Sequence, residues 1–404
     1  MPNNTLRPIK PNPGSEKDPA NFVGRRDVTR RARYMLANGQ RIMLSDPRRM
    51  GKSFWIEFFT HETAQDKSFR VVLIDYQGVD SIDEFLTRTV SGLVDSQHLP
   101  RRFLDYLKGL FNNVEIELAT GPVTLKKAAK SIVKPHELLE TLLVRLNNEV
   151  NPGDPLLVVA MDEVADAVIS IVKKGTPSDG QNLLQRLRRL REATPQIGWI
   201  MAGSIGFHHV LTRCDTTQAV LNNLDPLPFG PLNESDSAEL AKRLALGITR
   251  EIDDAAVARL YEVTDGIPYL IQELLHLMTF GERNKLLTGP ITVAEVETVF
   301  EAFLANRDLS QSVTQFVSRI KDYYGDDQSL AYEILDAVPP TPAESRLIAV
   351  LPADLLKNEH FPQTLRNLID DHYLLSTTTA DGEALSWRYG VIARIYHHRR
   401  PTKG

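Results

Sequence analysis

The stretch from Arg41 to Phe59, RIMLSDPRRMGKSFWIEFF, constrains the fold of this chain more than any other. Its apolar residues 42–44 predict a buried strand, the loop with proline and glycine predicts a turn, and Lys52-Ser53 open a segment with the pattern of an amphipathic helix. A phosphate-binding P-loop requires this order, because backbone N–H groups of the loop and of the helix N-terminus converge on an anion. The stretch therefore predicts a nucleotide phosphate site in an α/β domain.

Each position of this P-loop has an expected role. Lys52 places a cation at the β- and γ-phosphates, and the Ser53 hydroxyl is a ligand for Mg²⁺. The other residues expected to line the phosphates are Pro47, Arg48, Arg49, Met50, Gly51 and Phe54.

Asp46 departs from the pattern, since the first position of G-x-x-x-x-G-K-[ST] is ordinarily glycine. A carboxylate beside a triphosphate is repelled. We expect the Asp46 side chain to cap N–H groups of its own loop and to turn away from the anion. Neutralisation by Arg48 or Arg49 is the alternative.

A second apolar run, LLVVAMDE, ends in Asp162-Glu163 and supplies the partner that a P-loop needs. Asp162 is expected in the Mg²⁺ shell, and Glu163 is expected to polarise the attacking water as general base. Ser204 ends the next predicted strand, where it either senses the γ-phosphate or only completes a turn.

Transition-state charge in phosphoryl transfer is usually stabilised by an arginine. Arg48 and Arg49 are candidates within the same chain. Arg188 and Arg189 lie in a basic helix between the acidic pair and the Ser204 strand, and they could act across a subunit boundary in a homo-oligomer. That helix can equally be a solvated basic face.

Composition excludes several classes of protein. The chain has 404 residues, a net charge of −5 and a single cysteine, so a coat of nucleic acid, an internal disulfide and a cysteine metal site are not expected. The histidines show no metal-binding spacing. No apolar run approaches the roughly 20 residues of a membrane span, and no hydrophobic signal region opens the sequence. These features predict a cytoplasmic protein without a membrane partner.

The chain divides by pattern into four sections. Residues 1–20 predict a disordered tail. Residues 21–232 form the predicted ATPase-type core, with an insertion at 81–155, and residues 233–312 carry only helical patterns. Residues 313–404 form the last section. Within the insertion, the sequence from Phe111 to Leu125 predicts a short β-ribbon.

The last section has the pattern of a winged helix, three short helices followed by a hairpin. Asp381-Gly382 is the predicted turn of that hairpin. The predicted helices cover 344–351, 353–358 and 362–373.

A winged helix suggests duplex DNA, but the charge of this section is mixed. The candidate recognition helix ends in Asp370-Asp371, which phosphates repel. A basic set follows in the wing and tail, and a protein contact is as well supported as DNA. The basic set is Arg388, Arg394, Arg399, Arg400 and Lys403.

The motifs FVGRRD, DPRRMGKS, VVAMDE, MAGS and DGIPYL follow one another in this order. Together they resemble the prokaryotic, archaeal-type P-loop ATPases related to AAA+ and STAND proteins, which combine a parallel-sheet core, a helical lid and a winged helix. The resemblance implies that Phe22, Val23 and Gly24 line an adenine pocket and that Gly266 and Pro268 approach the nucleotide from the lid. No arginine follows Pro268 early in its helix, so the resemblance favours a switch over a motor.

Two functions follow from this resemblance. The first is an ATP-binding and ATP-hydrolysing enzyme that uses Mg²⁺ and couples nucleotide state to movement between core and lid, acting on DNA or a protein partner. The second is a slow nucleotide-dependent switch or scaffold, a regulatory or defence component whose output is assembly.

Overall fold

The computed structural model describes residues 6–95, 135–151, 153–204, 206–280, 286–306, 308, 313–341 and 343–400. Two compact units are present. The sheet unit consists of Arg26–Ser45 and Lys52–Phe229, and the helical unit consists of Met1–Arg25, Asp46–Gly51 and Gly230–Gly404. The predicted β-ribbon from Phe111 to Leu125 lies outside the described residues.

The sheet unit contains a five-stranded parallel sheet with the strand order β2-β3-β4-β1-β5. The α/β fold with a parallel sheet is confirmed. All six residues of β4 are buried, as expected for a strand covered on both faces. The strands are β1 Ile42–Ser45, β2 Phe69–Asp75, β3 Leu156–Asp162, β4 Gly198–Gly203 and β5 Asp225–Pro226.

Helices connect these strands. The described ones are α1 Arg26–Ala37, α2 Lys52–Asp66, α3 Ile82–Asp95, α4 Pro135–Asn148, α5 Val164–Lys174, α6 Pro177–Ala193 and α7 Phe207–Arg213. Helix α2 buries Trp55, Ile56 and Phe59, whereas Phe54 and Phe58 stay partly exposed. The Trp55 ring stacks on Phe59 at 5.2 Å, and its Nε1–H donates to Thr29 Oγ1 at 3.0 Å. These contacts fix the helix that begins with Lys52.

Strand register brings the chemically active residues to one edge of the sheet. Asp75 lies opposite Asp162, and Ser45 lies opposite Gly203. Since the strands are parallel, their carboxyl ends meet at this edge, which is where ligands bind in open α/β sheets.

The helical unit begins its main body with four capped or proline-started helices. They are α8 Glu234–Gly247, α9 Asp254–Thr264, α10 Pro268–Leu277 and α11 Val293–Ala305. Asn233, Asp253 and Thr292 each accept a backbone N–H with their side chains and so start α8, α9 and α11.

The last part of this unit combines further helices with an antiparallel sheet in the order β6-β8-β7. The helices are α12 Gln315–Tyr323, α13 Gln328–Ala337, α14 Ala353–Leu356, α15 Phe361–Asp370 and α16 Gly390–Arg399. The strands are β6 Arg346–Leu347, β7 Leu374–Thr379 and β8 Gly382–Trp387.

Two details of this part differ from the sequence prediction. The segment 344–351 is not a single helix, because Arg346 and Leu347 pair with β8 and only Ile348–Val350 form a short 3-10 helix. The hairpin exists as predicted, but Thr379 pairs with Gly382, so that Gly382 opens β8 instead of lying in the turn.

Residues 6–20 also differ from the prediction of a disordered tail. Ile9 is buried, and its N–H donates to the carbonyl of Arg243 at 2.9 Å. The Arg243 guanidinium donates in turn to the carbonyls of Arg7 and Ala20. Gly247 allows the close approach, since a Cβ there would collide with the Ile9 carbonyl. The polar composition of the segment gives no sign that it packs against residues more than 200 positions away in the sequence.

No helix within the described ranges has both the length and the apolar character needed to cross a bilayer.

Candidate functional site

Lys52, Ser53 and Asp162 come together in the sheet unit. Lys52 is the first residue of α2 and is buried, and Asp162 is the buried last residue of β3. The Ser53 hydroxyl hydrogen-bonds the Asp162 carboxylate, and the Lys52 ammonium is close enough to interact with it. A hydroxyl and a carboxylate in contact are the oxygen ligands that Mg²⁺ accepts beside phosphates, so these residues fit that ion.

Burial dominates the electrostatics of Asp162. Desolvation raises the pKa of the carboxyl group, while the Ser53 hydrogen bond and the charge of Lys52 oppose the shift. Asp75, opposite Asp162 on the neighbouring strand, raises this pKa further. Lys52 and Asp162 are buried at this edge and Asp75 is exposed, and the excess of acidic groups favours a cation.

Glu163 and Ser204 also lie in contact. Glu163 adopts a left-handed backbone conformation with φ 56° at the start of α5. Ser204 is buried just after β4, and its Oγ lies 3.0 Å from Glu163 Oε2. The same Oγ lies 3.0 Å from Oδ2 of Asp166, a residue that the sequence analysis did not single out.

The Glu163 carboxyl has a strongly shifted pKa. Desolvation is the main cause, and the hydrogen bond to Asp166 and the charges of Asp166 and Asp162 add to it, raising the pKa to about 8. Lys52 opposes the shift. A carboxyl group whose pKa lies near neutral pH can exchange a proton under physiological conditions.

The loop residues 46–51 belong to the helical unit. Asp46 is buried there, and its Oδ1 accepts the N–H of Gly230 at 3.3 Å. Arg25 is close enough for a charge interaction with the same carboxylate. Gly230 and Arg25 are therefore partners of Asp46 that neither of the two sequence expectations names.

Arg25 fixes the end of this loop. Its Nη2 donates to the Met50 carbonyl at 2.6 Å, and its backbone N–H donates to Asp236 Oδ2 at 3.0 Å. Burial lowers the Arg25 pKa to about 10, against the opposing charges of Asp46, Asp236 and Tyr389. The guanidinium remains charged at neutral pH and holds the loop backbone in place.

The two loop arginines differ in their surroundings. Arg48 is exposed. Arg49 has φ 72° and places its guanidinium 4.1 Å from the centroid of the Tyr269 ring. This cation–π contact connects the loop to α10.

Residues predicted from the family resemblance have defined packing in the helical unit. Gly51 has φ +86°, and a Cβ at this position would lie 3.7 Å from the Pro268 ring, so the loop end and Pro268 are neighbours. Gly266 has φ +68° and leaves no room for a Cβ against the Leu232 carbonyl. Both glycines therefore have a conformational reason to be glycine.

The segment from Phe22 to Gly24 is equally constrained. Val23 is buried, Phe22 is partly exposed, and Gly24 has φ +76° with the Asp236 side chain where a Cβ would point. These contacts explain the shape of the segment. Its role at an adenine ring stays a prediction.

The arginines of α6 differ in their contacts. Arg188 donates to Glu192 Oε1 at 2.8 Å and to the Ala219 carbonyl at 2.9 Å. Arg191, which is buried, donates to the carbonyl of Val220. Arg189 is exposed. Arg188 is thus occupied within its own unit, and a finger role for Arg188 or Arg189 stays a prediction.

Sequence reasoning missed one residue of the sheet-unit site, Asp166, and one residue of the helical unit that holds the loop at 46–51, Arg25. Asp166 carries one usable signal, an acid three residues after Glu163 in the first turn of the following helix. The one sequence signal for Arg25 is its position in the motif FVGRRD, because its partners Met50 and Asp236 are distant in sequence.

The architecture is similar to that of solved structures. The chain is similar to a Walker-type ATPase of Pyrococcus abyssi with a TM-score of 0.59 and 17% identity, over 97% of this chain and 99% of that one. The fold is that of a P-loop ATPase.

Two weaker similarities accompany it. The ORC2 protein of Aeropyrum pernix matches with a TM-score of 0.47 and 12% identity over 96% of this chain and 95% of that one. The Holliday junction branch migration motor RuvB of Thermotoga maritima matches with a TM-score of 0.39 and 11% identity over 92% and 95%. No protein-family model matches the sequence, and no curated protein matches it.

Proposed function

We propose that this protein binds ATP with Mg²⁺ and hydrolyses it. The contact of Lys52, Ser53 and Asp162 at the carboxyl edge of the parallel sheet is the observation that carries the proposal. Lys52 would pair with the β- and γ-phosphates, and Ser53 and Asp162 would hold the metal ion. The ion, when bound, supplies charge neutralisation on the phosphates.

The remaining chemistry falls to Glu163 and Ser204. Glu163 would take the proton of the attacking water in its ionised form, which forms as pH rises through a pKa that burial and the neighbouring acids raise to about 8. Ser204, which lies buried beside Glu163, would donate a hydrogen bond from its hydroxyl group to a γ-phosphate oxygen. Arg48, Arg49, Arg188 and Arg189 remain the candidates for stabilising transition-state charge.

The proposal extends to the nucleotide base and to the domains. Phe22, Val23 and Gly24 would contact adenine, and Gly266 and Pro268 would approach the nucleotide from a lid formed by residues 233–312. Nucleotide state would be coupled to movement of that lid relative to the core at 21–232. The support for this coupling is the motif order of the sequence.

Residues 313–404 are proposed to form a winged helix that contacts a protein partner. Two arginines predicted to favour DNA are engaged by the chain itself. Arg399 donates to the carbonyls of Leu304 and Asn306, each at 3.0 Å, and Arg400 forms an ion pair with Asp336. Lys403 lies outside the described residues.

The hairpin of this section also favours a protein partner. Asp381 and Glu383 at its tip are exposed acids, which DNA phosphates would repel. Duplex DNA is therefore the second choice of partner.

The experiment that tests the ATPase combines calorimetry with phosphate release. The parent should bind ATP with Mg²⁺ and release phosphate. Lys52→Ala should abolish binding, because the phosphates lose their main cation, whereas Glu163→Gln should retain ATP and lose hydrolysis by about 100-fold or more. Lys173→Ala, an exposed lysine on α5, is the control. Absence of ATP binding by the parent would overturn the proposal.

A slow switch is the second candidate function. It is favoured by Glu163, whose carboxyl is engaged by Ser204 and Asp166 in this structure. Sedimentation with and without ATP distinguishes the candidates. Assembly that depends on ATP, with negligible phosphate release by the parent, would support the switch and a homo-oligomeric output.

A further inference from the structure

Arg49 has a backbone conformation that is unusual for an arginine. Its φ of 72° lies in the left-handed region, which residues with a Cβ rarely adopt. Such a conformation persists where the surrounding contacts hold it, and it is typical of segments that bind ligands. Arg49 lies three positions before Lys52 in the chain, so it belongs to the loop that is proposed to receive the phosphates.

The Arg49 guanidinium packs against two other parts of the helical unit. Its central carbon lies 4.1 Å from the centroid of the Tyr269 ring on α10. A Cβ at Gly14 would lie 2.6 Å from Arg49 Nη1 and 3.4 Å from Tyr269 Cε2. The backbone at Gly14 can therefore lie beside both groups only because this residue has no side chain.

Contacts with two helices hold the segment 6–20 in this place. The buried Ile9 donates its N–H to the carbonyl of Arg243 on α8 at 2.9 Å. The N–H of Asn12 donates to Oε1 of Gln272 at 3.4 Å, and Gln272 lies three residues after Tyr269 on α10. The segment and α10 thus restrict the Arg49 side chain together.

These contacts supply Arg49 with no opposite charge. Its Nε is buried without a hydrogen-bond acceptor, and among the described residues no acidic side chain forms an ion pair with it. The side chain is partly exposed, so a ligand can reach it from solvent. A guanidinium can donate to phosphate oxygens in its own plane while an aromatic ring stays stacked on its face. Arg49 is therefore suited to an anionic ligand.

We propose that Arg49 is the arginine that stabilises transition-state charge during ATP hydrolysis, and that Tyr269 and the backbone at Gly14 position its guanidinium. This inference rests on the proposed ATPase function, for which four arginines are candidates. Tyr269 touches no phosphate in this scheme and acts through Arg49. Because the guanidinium is restricted before ATP binds, less side-chain entropy is lost when the phosphate contact forms.

Phosphate release and calorimetry with the full chain test the role of Arg49. Arg49→Ala should lower kcat by about 100-fold or more with KM for ATP nearly unchanged, because the lost contact forms in the transition state. With Mg²⁺ present, binding of ADP with aluminium fluoride, a mimic of the transferred phosphoryl group, should weaken by about tenfold or more, whereas binding of ATP should not. A parent-like kcat in Arg49→Ala would overturn the inference.

Three variants test the positioning role of Tyr269. Tyr269→Phe keeps the aromatic face and should retain kcat within about threefold of the parent, whereas Tyr269→Leu removes that face and should lower kcat by about tenfold or more. In the Arg49→Ala background, Tyr269→Leu should cause no further loss, since both changes remove one contact. A merely structural role predicts the same loss in both backgrounds, and that result would overturn the positioning role.

Gly14→Ala provides a second test if Tyr269→Leu does not fold. Its Cβ would displace the Arg49 guanidinium, so kcat should fall by about fivefold or more in the parent and stay unchanged in the Arg49→Ala background. Gly39→Ala is the matched control, because Gly39 has φ +73° against +75° for Gly14 but faces open space. Equal kcat values in the two glycine variants would overturn the contribution of Gly14.

The proposed function and this inference fail in different ways. If the parent releases no phosphate, or if Glu163→Gln releases it as fast as the parent, the ATPase proposal falls and the inference falls with it. If the parent is active, Glu163→Gln is inactive and Arg49→Ala matches the parent, only the role of Arg49 falls.

Discussion

Asp46 stands at the residue position where P-loops ordinarily carry their first glycine, and its observed contacts determine what a substitution should do. The carboxylate bonds the Gly230 N–H and faces Arg25, so we expect Asp46→Gly to lower the free energy of unfolding by about 1–3 kcal/mol. Affinity for ATP should change less than tenfold, because the carboxylate is already directed toward these partners. Chemical denaturation and calorimetry measure the two quantities.

Asp46→Asn is the matched variant for this prediction. It keeps an acceptor for the Gly230 N–H while removing the charge beside Arg25. Its loss of stability should therefore be smaller than that of the glycine variant. A glycine variant as stable as the parent, with ATP binding tightened more than tenfold, would contradict the prediction.

Single residues of the site were predictable where a local motif fixes them. Lys52 follows a strand and a loop, and Glu163 ends an apolar run, so each is assigned by its neighbours in sequence. Arg25 could not be assigned in this way, because its role depends on Met50 and Asp236, which only the folded chain brings near.

Asp265 connects two helices of the helical unit. It follows α9, and its Oδ2 accepts the N–H of Val391 in the first turn of α16 at 2.7 Å. Desolvation raises the pKa of Asp265 despite the hydrogen bonds from Val391 and Gly390 and the charge of Arg394. The folded chain therefore binds this proton more tightly than the unfolded chain does.

This shift predicts a dependence of stability on pH. The contribution of Asp265 to the free energy of unfolding should decrease as pH rises from its ordinary pKa of 3.8 through its raised value. Asp265→Asn keeps the acceptor but cannot titrate. Denaturation from about pH 4 to 7 should show the parent losing stability relative to this variant.

Asp253→Asn serves as the control for the pH series. Asp253 caps α9 by accepting the N–H of Ala256, but it is exposed. A parallel pH profile for the parent and Asp265→Asn would contradict the prediction.

The segment 6–20 is the element that the sequence described least well. Ile9 is 2% exposed in the helical unit, so Ile9→Ala should lower the free energy of unfolding by about 2–4 kcal/mol. Ile9→Val should cost about 0.5–1.5 kcal/mol. Thermal unfolding of the three proteins measures this order, and an unchanged unfolding temperature in Ile9→Ala would show that the segment is not docked.

Elements were otherwise predictable wherever periodicity was strong. The apolar runs of β1 and β3 and the helical pattern of residues 233–312 are recognised from the local sequence. β6 was not, because two residues become a strand only by pairing with β8.

For the whole molecule, the class of fold followed from the order of motifs, but its division did not. The loop at Asp46–Gly51 lies between β1 and α2 in sequence, yet it belongs to the helical unit. Its ties are long-range contacts with Arg25, Gly230 and Tyr269. Such contacts carry no periodic signal, so a reading along the chain assigns the loop to the sheet.

Protein and duplex DNA are the two candidate partners of the C-terminal section. Arg399 and Arg400 are bound within the chain, and Arg400 also lies over the Tyr332 ring at 5.7 Å. Arg388 and Arg394 are the exposed arginines nearest the hairpin in sequence. Because the molecule carries a net charge of −5, we expect no duplex binding at low salt, with or without ATP.

Fluorescence anisotropy with labelled duplexes tests this for the parent and two double variants. Replacing Arg399 and Arg400 by alanine should lower the unfolding temperature without changing anisotropy, since these side chains serve the fold. The same replacement of Arg388 and Arg394 should also leave the anisotropy unchanged. Salt-dependent duplex binding by the parent, weakened by the second pair with a salt slope reduced by about 2, would instead make the C-terminal section a DNA-binding module. The protein-contact proposal would then be wrong.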